Sequence, residues 1–166
     1  PLVAAFTGSD NRYYSVPSKT ITITVVDDDA ADITITESSG STTVTEAGST
    51  DTFDVVLNSQ PSSSVGVTLT HSDSTEGSLS TGTLTFTTGN RNTAQTVTVT
   101  GVNDNVQDGN TSSTITLSIN PGITTDTNYL SVANKTVTVS TTDDDVAGFS
   151  FTETSGSTSV TEMGGQ

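Results

Sequence analysis

Two runs of three consecutive aspartates stand out as the residues best suited to chemistry: Asp27-Asp28-Asp29 and Asp143-Asp144-Asp145. Each ends a stretch in which β-branched residues alternate with hydroxyl residues, Lys19-Thr-Ile-Thr-Ile-Thr-Val-Val before the first and Lys135-Thr-Val-Thr-Val-Ser-Thr-Thr before the second. Adjacent carboxylates repel one another, and proximity of like charge disfavours their ionised forms. A chain that places the same triplet twice in the same context implies a cation that neutralises it.

Other acids and amides stand where they could join that site. Glu46 follows a short alternating run, in Val44-Thr45-Glu46-Ala47-Gly48. Asn103-Asp104-Asn105 and Asp108 lie between two further strand-like runs. A donor set of carboxylates, amides and backbone carbonyls suits a hard cation. Calcium takes 6–8 oxygen ligands at about 2.3–2.6 Å with tolerant geometry. Zinc favours His and Cys, whereas this chain has one histidine, His71, and no cysteine. His71 ends a strand with no nucleophile motif around it and reads as a surface residue.

The elements that must position these groups repeat. An offset of 116 residues relates Asp27 to Asp143, Tyr13 to Tyr129, Gly40 to Gly156, and Val44-Thr45-Glu46 to Val160-Thr161-Glu162. Such periodicity defines the folding unit. Residues 1–29 read as the C-terminal part of one repeat, 30–145 as a complete repeat and 146–166 as the N-terminal part of a third. The metal-ligand candidates therefore include Asp27, Asp28, Asp29 and Glu162 beside Glu46, Asp104, Asp108, Asp143, Asp144 and Asp145.

Period-two alternation marks the strands. Residues 1–18 read as the end of a loop and 19–26 as a strand. The complete repeat offers seven strands. The first, over 32–45, is interrupted at Gly40, where it kinks or switches sheets. The others cover about 51–58, 65–71, 82–87, 95–102, 111–119 and 135–140. Asp51 opens its strand away from the acidic site. No stretch shows the 3.6-residue period of an amphipathic helix. Short alternating strands divided by Gly, Pro and Asn turns indicate an all-β, immunoglobulin-like antiparallel sandwich, without the Cys and Trp hallmarks of antibody domains.

Composition narrows the partners. The 166 residues carry 19 acids against 4 Lys and Arg, a formal charge of −15. Nucleic acid requires a basic face, which is missing, and anionic membranes are disfavoured for the same reason. The chain has no apolar run long enough to insert into a bilayer, and without cysteine no disulfide holds the fold. Hydrophobic residues make up 30% of the chain, a thin core that ligand binding would reinforce.

The runs Val44-Thr-Glu-Ala-Gly, Gln95-Thr-Val-Thr-Val with Asp104 following, and Val137-Thr-Val leading to Asp143-Asp144-Asp145 resemble the Calx-beta family. The resemblance covers 30–145 and reaches the flanks by repetition. It implies a seven-stranded sandwich binding calcium at one end, with ligands at Glu46, Asp104, Asp108 and Asp143–Asp145. It also implies a place in sodium–calcium exchangers, integrin β4 or large bacterial surface proteins. The chain departs from the family pattern at Asn103 and Asn105, where Asp is common, at Thr111, where Glu is frequent, and near Gly77-Ser78-Leu79, where a Gly-x-Asp-Tyr signature is absent. Fewer carboxylates imply fewer ions and weaker binding.

The expected function is that of a calcium-binding structural repeat that stiffens and extends a large secreted or surface-anchored bacterial protein, packed against neighbouring repeats of the same chain. Two alternatives stand beside it. One is a calcium-dependent module recognising a glycan or protein ligand at the cell surface, for which Tyr13, Tyr14 and Tyr129 are the scarce aromatic candidates. The other is a subunit that assembles with identical copies into a surface layer or filament. No nucleophile–base pair or catalytic metal set is visible, so an enzyme is not expected.

Overall fold

A computed structural model describes residues 2–4, 12, 19–153 and 156. The chain divides into two compact units, Pro1–Ala30 and Ala31–Gln166.

In the first unit, β1 (Leu2–Ala4) pairs antiparallel with β2 (Lys19–Ile21). The 19–26 strand is thus shorter than its alternation suggests, and residues 2–4, expected in a loop, form its partner. A strand persists only where a neighbour takes up its backbone hydrogen bonds, and β1 has three residues. Ile21 and Ile23 are 53% and 67% exposed.

The second unit is a two-layer β-sandwich. Its strands are β3 (Ile33–Glu37), β4 (Thr42–Thr45), β5 (Thr50–Leu57), β6 (Val65–His71), β7 (Gly77–Leu79), β8 (Thr83–Phe86), β9 (Gln95–Gly101), β10 (Thr111–Ile119) and β11 (Lys135–Thr142). One sheet has the order β4-β11-β10-β6-β8 and the other β3-β5-β9-β7. These nine strands replace the expected seven for two reasons. The first strand breaks at the 3-10 turn Ser38–Gly40, where Ser39 and Gly40 take φ of 55° and 81°. Its halves then join different sheets. The additional strand, β7, is three residues of Gly-Ser-Leu and carries no alternation to betray it.

The sheet switch also makes the sandwich mixed rather than wholly antiparallel. β3 runs antiparallel to β5, whereas β4, continuing in the same direction after crossing layers, pairs parallel with β11 from Val139↔Thr42 to Thr142↔Thr45. This parallel pairing brings the end of β4 and the end of β11 to the same pole.

Alternation fills the space between the layers. Phe53, Val55 and Leu57 of β5 face Val65, Val67 and Leu69 of β6 and the buried Ile115, Leu117, Val137 and Val139 of β10 and β11. A buried aliphatic side chain of this kind contributes roughly 1.5–3 kcal/mol. Tyr129, 1% exposed, closes the core from the β10–β11 connection, with its hydroxyl donating to the Ser59 carbonyl at 2.6 Å. No helix among the described residues is long and apolar enough to cross a membrane.

Candidate metal centre

Glu46 is the first residue beyond β4, and its backbone extends the parallel ladder: its amide donates to the Thr142 carbonyl at 3.1 Å. The chain then turns sharply. The Gly48 amide donates to the Thr45 carbonyl at 3.1 Å, with φ +87° at Gly48, a conformation costly for any residue with a Cβ. Behind the turn, a Cβ on Gly101 would overlap the Thr45 carbonyl oxygen, so β9 must present glycine there. These contacts turn the Glu46 side chain inward, leaving the residue 2% exposed.

Four more carboxylates meet it. Single carboxylate oxygens of Glu46, Glu76 and Asp108 lie within 4.8 Å of one another, as do those of Glu46, Asp104 and Asp145. Glu46 is common to both groups. Glu76 precedes β7; it is 5% exposed and accepts from the Thr111 hydroxyl at 2.6 Å. Asp104 caps its own loop by accepting from the Val106 amide at 2.7 Å. Asp143 acts as a brace, its two oxygens accepting from the amides of Gly109 and Asp145, each at 2.7 Å.

Two oxygens in this cluster are buried without a hydrogen-bond partner: Oε2 of Glu46 and Oδ2 of Asp145. The ion pair of Lys135 with Asp32, 2.9 Å, lies at the other end of β11 from these carboxylates. Burial, reinforced by Asp143, Glu76, Asp104 and Asp108, pushes the Glu46 carboxyl up to about 7. Burial, then Asp143, Asp144, Asp104 and Asp108, also raises Asp145. A buried charge without a partner costs several kcal/mol or is neutralised by a proton. The pole can therefore take up either protons or a cation. The donors are hard oxygens with no nitrogen or sulfur among them, which suits calcium better than zinc.

The sequence candidates distribute as follows. Glu46, Asp104, Asp108 and Asp145 converge. Asp143 sits against them but spends its oxygens on backbone amides, and Asp144 is exposed. Asp27, Asp28 and Asp29 are exposed and belong to no group of three potential ligands among the described residues. Their local turn nevertheless copies the later one: the Asp29 amide donates to Asp27 Oδ1 at 3.1 Å, as the Asp145 amide does to Asp143 Oδ1. Glu162 lies outside the described residues, as do Tyr13 and Tyr14.

Glu76 was not among the expected ligands. It stands one residue before Gly77-Ser78-Leu79, where the family's Gly-x-Asp-Tyr signature is absent. Its role follows from β7: Gly77 pairs with Gly101, and the Val102 amide donates to the Glu76 carbonyl at 3.2 Å, which places Glu76 at the acidic pole. His71 is also not the free surface residue expected. It is half-buried, its Nδ1 within 2.8 Å of the Gly77 carbonyl and its Nε2 within 2.7 Å of the Ser113 hydroxyl, so it ties the two sheets together beside Glu76.

No protein-family model matches the chain, and no curated protein matches it significantly. Several solved structures are similar. The apo-form Calx CBD1 domain is 22% identical, with a TM-score of 0.47, and the match covers 68% of this chain and 98% of that one. The CBD12 structure from CALX1.2 is also 22% identical, TM-score 0.47, covering 67% of this chain and 44% of that one. Domains 1–6 of the surface layer protein SbsC are 22% identical, TM-score 0.49, covering 80% of this chain and 16% of that one.

Proposed function

We propose that this chain is part of a tandem array of calcium-binding β-sandwiches that stiffens and extends a large secreted or surface-anchored protein. One observation carries the calcium reading: a carboxylate 2% exposed, Glu46, has an oxygen without any partner and is shared by two groups of carboxylates. Glu46, Glu76, Asp104, Asp108 and Asp145 would hold the metal, with Glu46 common to two ions or central to one. Bound calcium supplies the positive charge that lets these groups ionise together. It would bridge four separate segments: the end of β4, the approach to β7, the 103–110 loop and the exit from β11.

Burial supports the array. Val137 and Val139 are 2% and 0% exposed, while Ile21 and Ile23, 116 residues earlier, are 53% and 67% exposed. Ile33 is 3% exposed, while Phe149, 116 residues later, is 94% exposed. Gly156 repeats the positive φ of Gly40, 75° against 81°. We therefore read residues 1–29 and 146–166 as parts of neighbouring repeats flanking the complete repeat at 30–145.

Titration calorimetry and thermal melting of the chain test the calcium reading. Calcium should raise Tm, with an affinity on the order of 10⁻⁴–10⁻³ M, and magnesium should do less because it demands a tight octahedron. Identical melting curves in EDTA and in excess calcium would overturn it.

A further inference from the structure

We infer that Gln107 is a latch that holds the chain leaving the sandwich against the acidic loop, so that cation binding at the pole is felt by the segment after Asp145. The calcium part of this inference rests on the proposed function; the latch itself does not.

Three hydrogen bonds join the 103–110 loop to the exit segment. Asn110 Oδ1 accepts from the Asp143 amide at 3.1 Å, and Asp143 Oδ2 accepts from the Gly109 amide at 2.7 Å. Gln107 Oε1 accepts from the Ala147 amide at 3.0 Å. The first two fasten the exit at the end of β11. The third reaches two residues beyond the last carboxylate, where the described residues offer no other partner for the Ala147 amide. Past it, Phe149 and Phe151 are more than nine-tenths exposed.

The choice of side chain is physically pointed. The loop and the exit segment both carry acids, Asp104 and Asp108 on one and Asp143, Asp144 and Asp145 on the other, and these repel across the pole. A carboxylate at residue 107 would accept the same hydrogen bond but add to the repulsion. An amide accepts it without charge. Gln107 thus opposes the force that drives the two segments apart in the absence of metal, and a cation drawing the carboxylates together would relieve the load on it. Fixing the chain at Ala147 shortens the free spacer before Phe149 to a single residue, so the latch sets the direction in which the chain continues.

Amide exchange of the full 166-residue chain, followed residue by residue by NMR, tests this with calcium chloride as the only added ligand. In the wild type, Ala147 should gain roughly threefold to tenfold protection on saturation, the scale of one net hydrogen bond. Gln107→Met keeps the length and apolar stem and removes the acceptor. It should abolish the protection of Ala147, leave that of Asp145, which is held by Asp143, and lower the calcium affinity by the same roughly threefold to tenfold, because the coupling between latch and cation is reciprocal. Gln107→Glu, which restores an acceptor, should recover Ala147 protection in calcium. Protection of Ala147 by Gln107 without any calcium response would overturn the coupling if calorimetry of the same chain shows calcium binding, and would remove the calcium reading of the pole while keeping the latch if it shows none. Equal exchange of Ala147 in wild type and Gln107→Met, with and without calcium, would overturn the latch.

Discussion

The carbonyl oxygen of Thr45 occupies the space a side chain on Gly101 would need. The Gly101 amide is itself engaged, donating to the Ser49 carbonyl at 3.0 Å. The turn after β4 is therefore clamped on β9 from both sides of Glu46, and the depth of the Glu46 carboxylate depends on a missing methyl group in the facing sheet.

Gly101→Ala should push that turn outward. Overpacking of this kind costs about 1–3 kcal/mol, and the calcium affinity should fall about tenfold or more as Glu46 loses its shared position. Calorimetry on the variant measures both. A Gly101→Ala protein that melts lower yet binds calcium as tightly as the wild type would show that the turn does not position the ligand.

Much of the sandwich was open to reading in the sequence because its strands obey a period of two. Val137 and Val139, or Phe53, Val55 and Leu57, declare their inward face by alternating with Thr, Ser and Asp, and they are buried. The sheet switch was visible at Gly40 for a local reason, the positive φ that follows Ser39. What escaped was set by pairing between distant segments. The parallel β4–β11 ladder has no local signature. β7 owes its existence to Gly101 and Leu79↔Val99 pairing rather than to Gly-Ser-Leu itself, and Glu76 became a candidate ligand only once β7 placed it. The acids closest to regular strands, Glu46 and Asp145, were legible; the acid delivered by an irregular one was not.

Asp51 shows the same limit from the other side. It reads as a strand-opening acid remote from the site, yet it accepts from the Ser38 hydroxyl, from the Thr43 amide at 2.8 Å and from the Thr52 amide at 2.7 Å. Burial opposes its ionisation, but these three donors outweigh it and lower its pKa. The residue fastens the β3–β4 crossover to β5. Asp51→Asn should reduce stability by about 1–2 kcal/mol through weakened charge-assisted bonds. The loss should be equal in EDTA and in calcium, as read from the two melting curves. A loss confined to the calcium-bound protein would place Asp51 in the ion site instead.

The raised pKa of Glu46 fixes the direction of a pH dependence. The folded protein holds this proton up to about pH 7, while the unfolded chain releases it near the ordinary value of 4.5. Between these values the native state binds more protons, so stability falls as pH rises. The metal-free protein should therefore lose stability between about pH 5 and 7.5. Calcium should reverse the trend, because the ion competes with the proton and binds better as pH rises. Melting in EDTA and in calcium across this window checks both slopes. A Glu46→Gln protein should show a flatter slope in EDTA, and an unchanged slope would assign the effect to other carboxyls.

Glu46→Gln and Asp144→Asn separate the local site from the charge of the chain. Both remove one negative charge from the same pole. Glu46 is buried and common to both carboxylate groups, whereas Asp144 is exposed between two residues that face the cluster. A metal held by Glu46 loses a charged ligand in the first variant, and a fall in affinity of about tenfold or more is expected from one such lost interaction. In the second, only the long-range attraction weakens, and salt screens it over about 8 Å at physiological ionic strength. Asp144→Asn should then reduce affinity by no more than about twofold to threefold, and this difference should vanish on adding salt. Without metal, Glu46→Gln should melt at or above the wild type near pH 7.5, about where the Glu46 carboxyl ionises, since it removes the buried charge that burial and four neighbouring carboxylates penalise. Calorimetric titrations of the three proteins at low and high salt decide the matter. Equal, salt-sensitive losses in both variants would mean that the acidic pole attracts cations only as a diffuse charge, with no seat for one at Glu46.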